Sequence, residues 1–418
     1  MDPTHRDICI VGGGIIGVCT AYFIVNDPAH DPTRTTVTLI EEHEIAGAAS
    51  GKAGGFLALD WHGPATQSLA ALSYRLHREL AAEFDGESAW GYRAMDSVSI
   101  SVTAKAKGDI LGTKEPEPNT AVVISALREL PGPREGVVDM RWLNPEARRN
   151  VCGTKETTAQ VHPRLFTKAL FSRAEQKGMR FIHGHPERLH RNSDSRPTSL
   201  DVTSAGCSTP TTIPCSDLVL TAGPWSAQVA ETLGVTPVPH INNLPGHSIL
   251  IRPRIPISPL AVFAGIRNAN TGASRSANGG EITESPELFP RPDGSVYVAG
   301  ENHARQMPAS ANEVEWLVDE EMIQRLVRAS AQISDALAEG DVEVKQLCYR
   351  PRTPDGRPSI GKLNEHVWMA AGHGPWGITL GPGTGKVMAE LLLYGQAQSA
   401  RIGELDPLRS FAQDRRAR

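Results

Sequence analysis

The alternation of apolar runs and glycines in the first fifty residues predicts one strand–helix–strand unit. Residues 7–11 (DICIV) form a short apolar run that ends at glycine, which is typical of a buried parallel strand. Residues 15–25 are apolar on several faces and favour a buried helix. Residues 37–40 predict a second strand, which ends at Glu41 and Glu42. The chain therefore opens with a βαβ unit.

Helical and strand patterns continue to alternate along the rest of the chain. Helical spacing of apolar residues predicts helices at residues 67–84, 166–177 and 314–337. Short apolar or alternating runs predict strands at residues 98–102, 179–182, 218–221, 249–251 and 296–299. A further strand, a glycine-rich loop and a helix are predicted within residues 368–394. Clusters of turn-forming residues predict a connector at 130–136, hairpin loops at 192–216 and a long mobile surface loop at 267–294.

Composition indicates an ordinary globular protein of about two domains. The chain has 418 residues, of which 40% are hydrophobic and 21% charged, with a net charge of −5. No basic face stands out, so we expect no nucleic-acid partner. The long apolar run at residues 8–25 is broken by three glycines and no other run approaches about 20 residues, so we expect no transmembrane segment. The six cysteines are scattered without metal-ligand spacing, so we expect no metal site and a reducing, cytoplasmic compartment.

The first turn carries a specific spacing, Gly12-x-Gly14-x-x-Gly17. The first glycine permits a tight turn, the second lets the backbone approach a pyrophosphate, and the third lets helix and strand pack closely. The following helix points its free N–H groups at the phosphates. Glu41 lies slightly beyond the usual spacing of about 20 residues for a ribose-binding acid. We favour Glu41 for that role because it ends the strand directly, with Glu42 as the alternative.

Dinucleotide-type elements occur at the start, in the middle and at the end of the chain, with other material between them. The predicted fold class is α/β, with a discontinuous Rossmann-like dinucleotide-binding domain and an α+β substrate domain that contains a mixed antiparallel sheet. The first domain is predicted to comprise residues 1–60, 155–240 and 345–418. The second is predicted to comprise residues 61–154 and 241–344.

A second glycine run, Ala49-Ser50-Gly51-x-x-Gly54-Gly55, consists of small residues that let the backbone lie against a ligand. Together with the first turn it resembles the D-amino-acid-oxidase-like (DAO) family of FAD oxidoreductases, which includes glycine oxidase and sarcosine oxidase. The versions of the motifs found here look most like a eukaryotic subgroup that does not fix a substrate. Four more segments resemble the family, so the likeness spans both ends and the middle of the chain: residues 161–163, 217–226, 348–361 and 370–392.

The resemblance implies FAD as the cofactor. In the family the small-residue run wraps the pyrophosphate and the flavin edge. The amino terminus of the last helix faces the flavin pyrimidine ring, where its positive dipole end stabilises negative charge on reduced flavin. The cofactor-binding residues that follow from the turn and the resemblance are Gly12, Gly14, Ile15, Ile16, Gly17, Glu41, Glu42, Ala49, Ser50, Gly51, Lys52, Gly54, Gly55, Ala222, Gly223, Trp225, Cys348, Gly374, Trp376, Gly377 and Ile378.

Three residues form the predicted catalytic set. Arg350 corresponds to the arginine that clamps the substrate carboxylate in glycine oxidase, and a guanidinium suits that task through bidentate hydrogen bonds. The alternatives are a structural Arg350 paired with Asp355, and Arg352 as the clamp. Trp376 is expected to cover the flavin or line an apolar substrate pocket, or else to be ordinary packing. His62 is expected to point toward the flavin and influence its reaction with oxygen, or else to be structural.

Two features separate branches of the family. In sarcosine-oxidase-like members, a cysteine that precedes the aspartate of the same motif by a fixed number of residues carries the flavin covalently. Cys348 precedes Asp355 by that number. We favour the alternative, a small buried cysteine beside non-covalent FAD. Sarcosine oxidases also place a lysine shortly after a Gly-His-Gly segment. Here the segment at residues 372–374 is followed by Pro375 and Trp376 without that lysine, which argues against a sarcosine-type substrate.

These features predict an FAD-dependent oxidoreductase that oxidises a C–N bond of an amine or amino acid by hydride transfer to FAD. Dioxygen is the expected final acceptor, with an imine and hydrogen peroxide as products. The alternatives are an FAD dehydrogenase with another electron acceptor, and a flavoprotein whose main role is interaction or trafficking. A single dinucleotide fingerprint argues against an NAD(P)H-dependent reductase. The expected assembly is a monomer or a small homo-oligomer.

Overall fold

A computed structural model describes residues 5–103, 139–145, 147–267, 282–302, 304–409 and 411. The connector predicted at residues 130–136 lies outside this part, as do residues 268–281 of the predicted surface loop. Within the described ranges, every helix is too short or too polar to span a bilayer.

The described strands and helices follow the predicted alternation. The strands are β1 (Arg6–Val11), β2 (Thr35–Glu41), β3 (Phe56–Ala58), β4 (Arg93–Ala94), β5 (Asp96–Thr103), β6 (Arg148–Gly153), β7 (Thr158–Gln160), β8 (Arg180–Arg191), β9 (Pro197–Ser204), β10 (Thr211–Pro214), β11 (Asp217–Leu220), β12 (Asn242–Arg252), β13 (Leu260–Arg267), β14 (Ile282–Glu284), β15 (Glu287–Pro290), β16 (Val296–Glu301), β17 (Asp341–Arg352), β18 (Ser359–Asn364) and β19 (Val367–Ala371). The α-helices are α1 (Ile15–Val25), α2 (Pro64–Glu83), α3 (Gly86–Trp90), α4 (Pro163–Gln176), α5 (Ser226–Thr232), α6 (Glu320–Ile333), α7 (Asp335–Ala338) and α8 (Gly377–Tyr394). Short 3₁₀ helices lie at Gly223–Trp225, Ala311–Leu317, Gly374–Trp376 and Gly403–Leu405.

The first sheet has the strand order of a dinucleotide-binding fold. Its order is β10-β9-β8-β2-β1-β11-β19-β18, and the strands from β8 to β19 in this order run parallel. Numbered along the chain, these five parallel strands lie as 3-2-1-4-5, which is the doubly wound arrangement. The α/β, Rossmann-like prediction is confirmed.

Helices α1, α4 and α8 pack together beside this sheet and enclose an apolar core. Val18 of α1, Leu170 of α4 and Val387 of α8 are fully buried in one cluster with Ile8 and Leu39 of the sheet. Most residues of α1 are buried, as expected for a helix that is apolar on several faces. The glycine turn before α1 is therefore held between a buried strand and a buried helix.

The second sheet is mixed and mainly antiparallel, as predicted. Its order is β17-β12-β16-β15-β13-β5-β6, with β14 beside β13, and only the β13–β5 neighbours are parallel among these described strands. Residues alternate between its two faces: Val262, Leu288 and Val298 pack against α6, while Phe263 and Phe289 pack in an aromatic cluster on the opposite face. The domain boundary predicted at residue 345 falls within β17 of this sheet.

The continuous helix predicted at residues 314–337 is wrong. The chain instead forms the 3₁₀ helix Ala311–Leu317, then α6, then α7. Asp319 accepts a hydrogen bond from the backbone N–H of Glu321 at 2.9 Å, which caps the start of α6. Ser334 has an extended backbone that ends α6 before α7 begins. The apolar stripe runs through both breaks, so periodicity alone could not locate them.

Two segments predicted as loops contain strands. Within residues 267–294, β14 pairs with β13, and β15 lies between β13 and β16 in the second sheet. Within residues 192–216, β9 and β10 form an antiparallel hairpin at the edge of the first sheet. Both segments are rich in Ser, Thr, Pro or Gly, and their strands are stabilised by pairing with neighbouring strands rather than by their composition.

Arg6 and Asp217 join β1 to β11. The Arg6 Nε and Nη2 atoms donate to the two carboxylate oxygens of Asp217 at 2.8 and 2.9 Å. Burial raises the pKa of Asp217, but the hydrogen bonds and charge of Arg6 more than offset this and hold the pKa below its usual range. A carboxyl whose pKa is depressed by folding contributes stability above its unfolded pKa, and that contribution is lost as the pH falls.

The variant Asp217→Asn is expected to lower the free energy of unfolding by about 2–3 kcal/mol at pH 7, because Arg6 loses a bidentate charged partner. The difference from wild type should shrink as the pH falls below about 4, where the wild-type carboxyl begins to lose this advantage. Urea unfolding at pH 7 and pH 3 measures both effects. Glu343→Gln is the control: it breaks the exposed pair with Arg252 (2.9 Å) and should change the free energy by less than about 1 kcal/mol. Equal losses in the two variants would contradict this account.

Candidate active site

A cleft of about 270 Å³ runs from the carboxyl ends of β1 and β2 to the aromatic face of the second sheet. It is lined by the turns after β1 and β11, the segment after β2, the start of α8 and residues of the second sheet. In open parallel sheets, ligands bind outside the carboxyl ends of the strands, where the strand order reverses. The reversal here lies between β1 and β11, so the cleft lies where a dinucleotide would bind.

The glycine turn forms one end of the cleft. Gly12 has a φ of +114°, and a Cβ atom on Gly17 would lie 2.0 Å from the carbonyl oxygen of Gly12. Both positions therefore require glycine, one for the turn and one for the packing of α1 on the turn. The backbone N–H of Ile15 donates to Ser50 Oγ at 2.9 Å. The positive end of the α1 dipole thus faces the cleft beside Gly14, where it favours an anion.

Glu41 and Glu42 both line this end of the cleft. The Glu41 carboxylate accepts the backbone N–H of Gly13 at 2.5 Å and that of His43 at 2.8 Å. Burial raises the pKa of Glu41, and these two hydrogen bonds partly offset the rise. Glu42 instead contacts His185 Nδ1 at 3.2 Å, which lowers the pKa of Glu42. The assignment of the ribose contact to Glu41 stays a prediction.

The small-residue run follows the cleft only in part. Ala49, Ser50, Gly54 and Gly55 line it, whereas Gly51 and Lys52 do not. A Cβ atom on Gly51 would lie 2.0 Å from the carbonyl oxygen of Ala46, so this glycine serves the local turn. Burial lowers the pKa of Lys52, and its carbonyl oxygen accepts a hydrogen bond from Gln346 Nε2 at 2.9 Å.

The predicted residues of the two later glycine segments line the cleft. These are Ala222, Gly223 and Trp225 after β11, and Gly374, Trp376, Gly377 and Ile378 at the start of α8. His373 also lines the cleft, and burial lowers its pKa to about 3. Its Nε2 atom contacts Thr384 Oγ1 at 3.0 Å, while its buried Nδ1 atom has no partner among the described residues. A neutral imidazole nitrogen is therefore available at this wall.

An aromatic wall lies where the cleft meets the second sheet. The rings of Phe56 and Phe289 stack at 5.4 Å between centroids, and those of Phe289 and Tyr297 stack at 6.0 Å. Phe263 packs edge-on against Phe56 at 5.2 Å. Trp376 lines the cleft beside this group and contacts Trp61 at 6.5 Å between centroids. We call Phe56, Phe263, Phe289, Tyr297 and Trp376 the aromatic wall. It provides an apolar surface next to the dinucleotide cleft.

Arg350 lines the cleft, and its charge acts on Tyr297 of the aromatic wall. Its Nη2 atom donates to Asn302 Oδ1, and the nearby Gly246 leaves room for the guanidinium, since a Cβ there would lie 2.4 Å from Nη2. The alternative pairing of Arg350 with Asp355 is wrong, because Asp355 accepts hydrogen bonds from Arg357 and Arg409 instead. Arg352 does not line the cleft.

Cys348 and His62 lie differently relative to the cleft. Cys348 lines it and is buried, and burial raises the pKa of its thiol. His62 does not line it, but its ring packs edge-on against Trp376 at 4.7 Å. Its Nε2 atom contacts the carbonyl oxygen of Ala58 at 3.1 Å, and burial lowers its pKa to about 4. Any effect of His62 at the cleft therefore passes through Trp376.

The structure brings together most of the predicted site residues, with Gly17, Gly51, Lys52 and His62 behind the lining. Residue patterns missed the contribution of the second sheet. The lining residues not predicted there include Gly246, His247, Phe263, Glu287, Phe289, Tyr297 and Ala299. Glu287 and Phe289 lie within residues 267–294, which the sequence predicts as a loop rather than a strand.

Comparison with known proteins identifies the class. The family described as "FAD dependent oxidoreductase" (DAO) matches residues 7–391, and the chain belongs to this family. A Schizosaccharomyces pombe protein described as an oxidoreductase, C1F5.03c, is 36% identical over 416 residues, which cover 96% of this chain and 98% of that protein. Glycine oxidase from Geobacillus kaustophilus has a similar crystal structure, with a TM-score of 0.71, 19% identity, and coverage of 97% and 99% of the two chains. L-Proline dehydrogenase from P. horikoshii has a TM-score of 0.70, 16% identity, and coverage of 98% and 99%.

The residues present fit the FAD that the family implies. The close-packed glycine turn and the positive end of α1 form a cradle for a pyrophosphate. Glu41 and Glu42 line the cleft beside the glycine turn, and the start of α8 and His373 line it too. The Nδ1 atom of His373 has no partner in the described part of the chain. Bound FAD supplies the hydride acceptor, and the protein supplies binding and orientation.

Proposed function

We propose that this enzyme oxidises the C–N bond of an amino acid, with FAD as hydride acceptor and dioxygen as final acceptor, to give an imine and hydrogen peroxide. The observation that carries the proposal is Arg350, which lines the dinucleotide cleft together with the aromatic wall. A guanidinium there binds a carboxylate by two hydrogen bonds. The similarity to glycine oxidase supports an amino-acid substrate.

Each wall of the cleft has a task in this proposal. Arg350 holds the substrate carboxylate, and Asn302 orients the guanidinium. The aromatic wall excludes water and receives an apolar side chain, with Trp376 as the residue nearest the start of α8. The amino terminus of α8 supplies a positive dipole end that favours negative charge on the reduced cofactor. His62 positions Trp376 through their ring contact.

We propose that FAD binds without a covalent bond. Attachment through Cys348 would need a reactive thiolate, and burial raises the pKa of this thiol. The remaining cofactor contacts are those of the glycine turn, the small-residue run and the α8 start. We also propose a cytoplasmic location, because all six cysteines are free.

The expected result of the direct test is flavin bleaching by an amino acid. The FAD-loaded protein is mixed anaerobically with a panel of D- and L-amino acids, glycine, sarcosine and simple amines, and the flavin absorbance is followed. Air is then admitted, and peroxide is measured. Bleaching followed by stoichiometric peroxide supports the oxidase. If air reoxidises the bleached flavin only slowly but a quinone or dye reoxidises it quickly, the result favours a dehydrogenase. Dehydrogenase is the activity named for the structurally similar P. horikoshii protein. No bleaching by any compound overturns the proposal.

A further inference from the structure

Glu287 is an acidic residue on the cleft wall that no motif indicated. It opens β15, where it lies opposite Phe263 of β13 on one side and Ala299 of β16 on the other. All three residues line the cleft. Two positions along the same strand, Phe289 belongs to the aromatic wall. The sheet therefore presents one carboxylate in the middle of an otherwise apolar surface.

The Glu287 carboxylate lines the cleft where the charge of Arg350 reaches it. It makes neither a hydrogen bond nor an ion pair with any residue in the described ranges, although the charge of Arg350 acts on it. Burial raises the pKa of Glu287, and Arg350 partly offsets the rise. Arg350 donates its own hydrogen bond to Asn302 rather than to Glu287. Glu287 is partly buried on the cleft wall, and a partly buried carboxylate without a partner is unfavourable unless a ligand supplies one.

We propose that Glu287 binds the ammonium group of the amino acid whose carboxylate Arg350 holds, and that it accepts the proton which this nitrogen must lose. This rests on the proposed function and adds the recognition of the amine. The two charges of a zwitterion then meet two complementary side chains that do not bind each other. Such an arrangement fixes the orientation of the substrate along the wall.

The proton step balances without a further reactant. The N–H bond of the ammonium breaks, the proton passes to a Glu287 carboxylate oxygen, and the electron pair stays on the substrate nitrogen. The neutral amine that results has the lone pair needed for oxidation of the adjacent carbon. A carboxyl whose pKa is raised by burial is a better proton acceptor than a solvated one.

The arrangement also defines a substrate class. The substrate is a monocarboxylic α-amino acid with an apolar or aromatic side chain, which packs on Phe263 and Phe289. Dicarboxylic amino acids are disfavoured, because a second carboxylate would face Glu287. Carboxylic acids without an amine are disfavoured for the same reason, and amines without a carboxylate leave Arg350 unpaired.

The test uses two ligands that differ only in the amine, phenylalanine as both enantiomers and 3-phenylpropionate. Binding to the FAD-loaded enzyme is followed anaerobically by the change in the flavin spectrum. In Glu287→Gln, phenylalanine should bind about tenfold more weakly, because an ammonium–carboxylate contact is lost. 3-Phenylpropionate should bind as well as in wild type or more tightly, because a like charge is removed. A general loosening of the fold would weaken both ligands, so weakening of phenylalanine alone is specific to the ammonium contact.

The pH dependence gives a second readout. In wild type, the rate of flavin bleaching divided by the phenylalanine Kd should fall at acid pH, where Glu287 is protonated and no longer accepts a proton. Glu287→Gln should lose this acid limb, and Glu287→Asp, which retains the charge, should keep it. Glu343→Gln, an exposed carboxylate variant of the same sheet, should behave as wild type.

Equal weakening of both ligands in Glu287→Gln, with an unchanged pH profile, would overturn the role of Glu287. If wild-type flavin is not bleached by either enantiomer, the proposed function fails instead. The binding comparison still tests Glu287 in that case. If wild type binds phenylalanine more tightly than 3-phenylpropionate and Glu287→Gln does not, the result supports ammonium recognition by Glu287. The absence of any preference contradicts it.

Discussion

Replacing Gly17 with alanine is expected to leave a protein that retains almost no flavin. The new methyl group would lie 2.0 Å from the carbonyl oxygen of Gly12, and a backbone atom at the core of the turn cannot move aside cheaply. Helix α1 would have to shift away from β1, which moves the N–H groups that face the cleft. We expect the free energy of unfolding to fall by about 3 kcal/mol. Flavin retained after gel filtration should fall more than about tenfold.

Gly63→Ala is the matched control for this substitution. Gly63 precedes α2 and does not line the cleft. No atom of the described residues lies within 4 Å of the position that a Cβ atom would take there. Its alanine variant should keep the flavin and lose no more than about 1 kcal/mol of stability. Flavin absorbance at a fixed protein concentration and urea unfolding measure the two effects. Full flavin retention by Gly17→Ala would show that the turn does not bind the pyrophosphate.

The variant Arg350→Gln is expected to lower kcat/KM for a preferred amino acid by about 10²–10³-fold. Removing one partner of a desolvated charge pair typically costs about 2–5 kcal/mol, and the substrate carboxylate would remain without its partner. The loss should be much smaller for an amine without a carboxylate. Steady-state kinetics with an amino acid and its decarboxylated analogue separates the two cases.

Two other substitutions on β17 serve as comparisons for Arg350→Gln. Lys345→Gln lies on the same strand in an exposed pair with Glu320 and should change kcat/KM less than about threefold. Arg352→Gln tests the other arginine considered as the clamp, and it should also have a small effect, since Arg352 does not line the cleft. A large loss in Arg352→Gln together with a small loss in Arg350→Gln would contradict the proposal and show that Arg352 binds the substrate carboxylate.

The cofactor half was predictable because its signals are local. Gly12, Gly14 and Gly17 act within one turn, so their spacing alone states the geometry. The strand that ends at Glu41 follows within the same βαβ unit. The right-handed crossover of parallel strands then places β2 beside β1. Resemblance added the later glycine segments, which the structure brings to the same cleft.

The substrate half was less predictable because its contacts are made between distant strands. Glu287 and Arg350 come near each other only when β15 and β17 take their places in one sheet. The turn-rich composition around β15 predicts a loop, so the strand that carries Glu287 is not predicted from the sequence. The break before α6 has a local signal: Asp319 followed by Glu320 and Glu321 is typical of a helix amino terminus, although the apolar stripe continues through it.

The most direct test of the central claim is the visible spectrum of the purified protein before and after acid precipitation. We predict flavin bands with about one FAD per chain, and FAD in the supernatant after precipitation. Colour that remains with the pellet would contradict the non-covalent assignment and make Cys348 the residue to replace. The absence of flavin after reconstitution with FAD would contradict the account of the cleft itself.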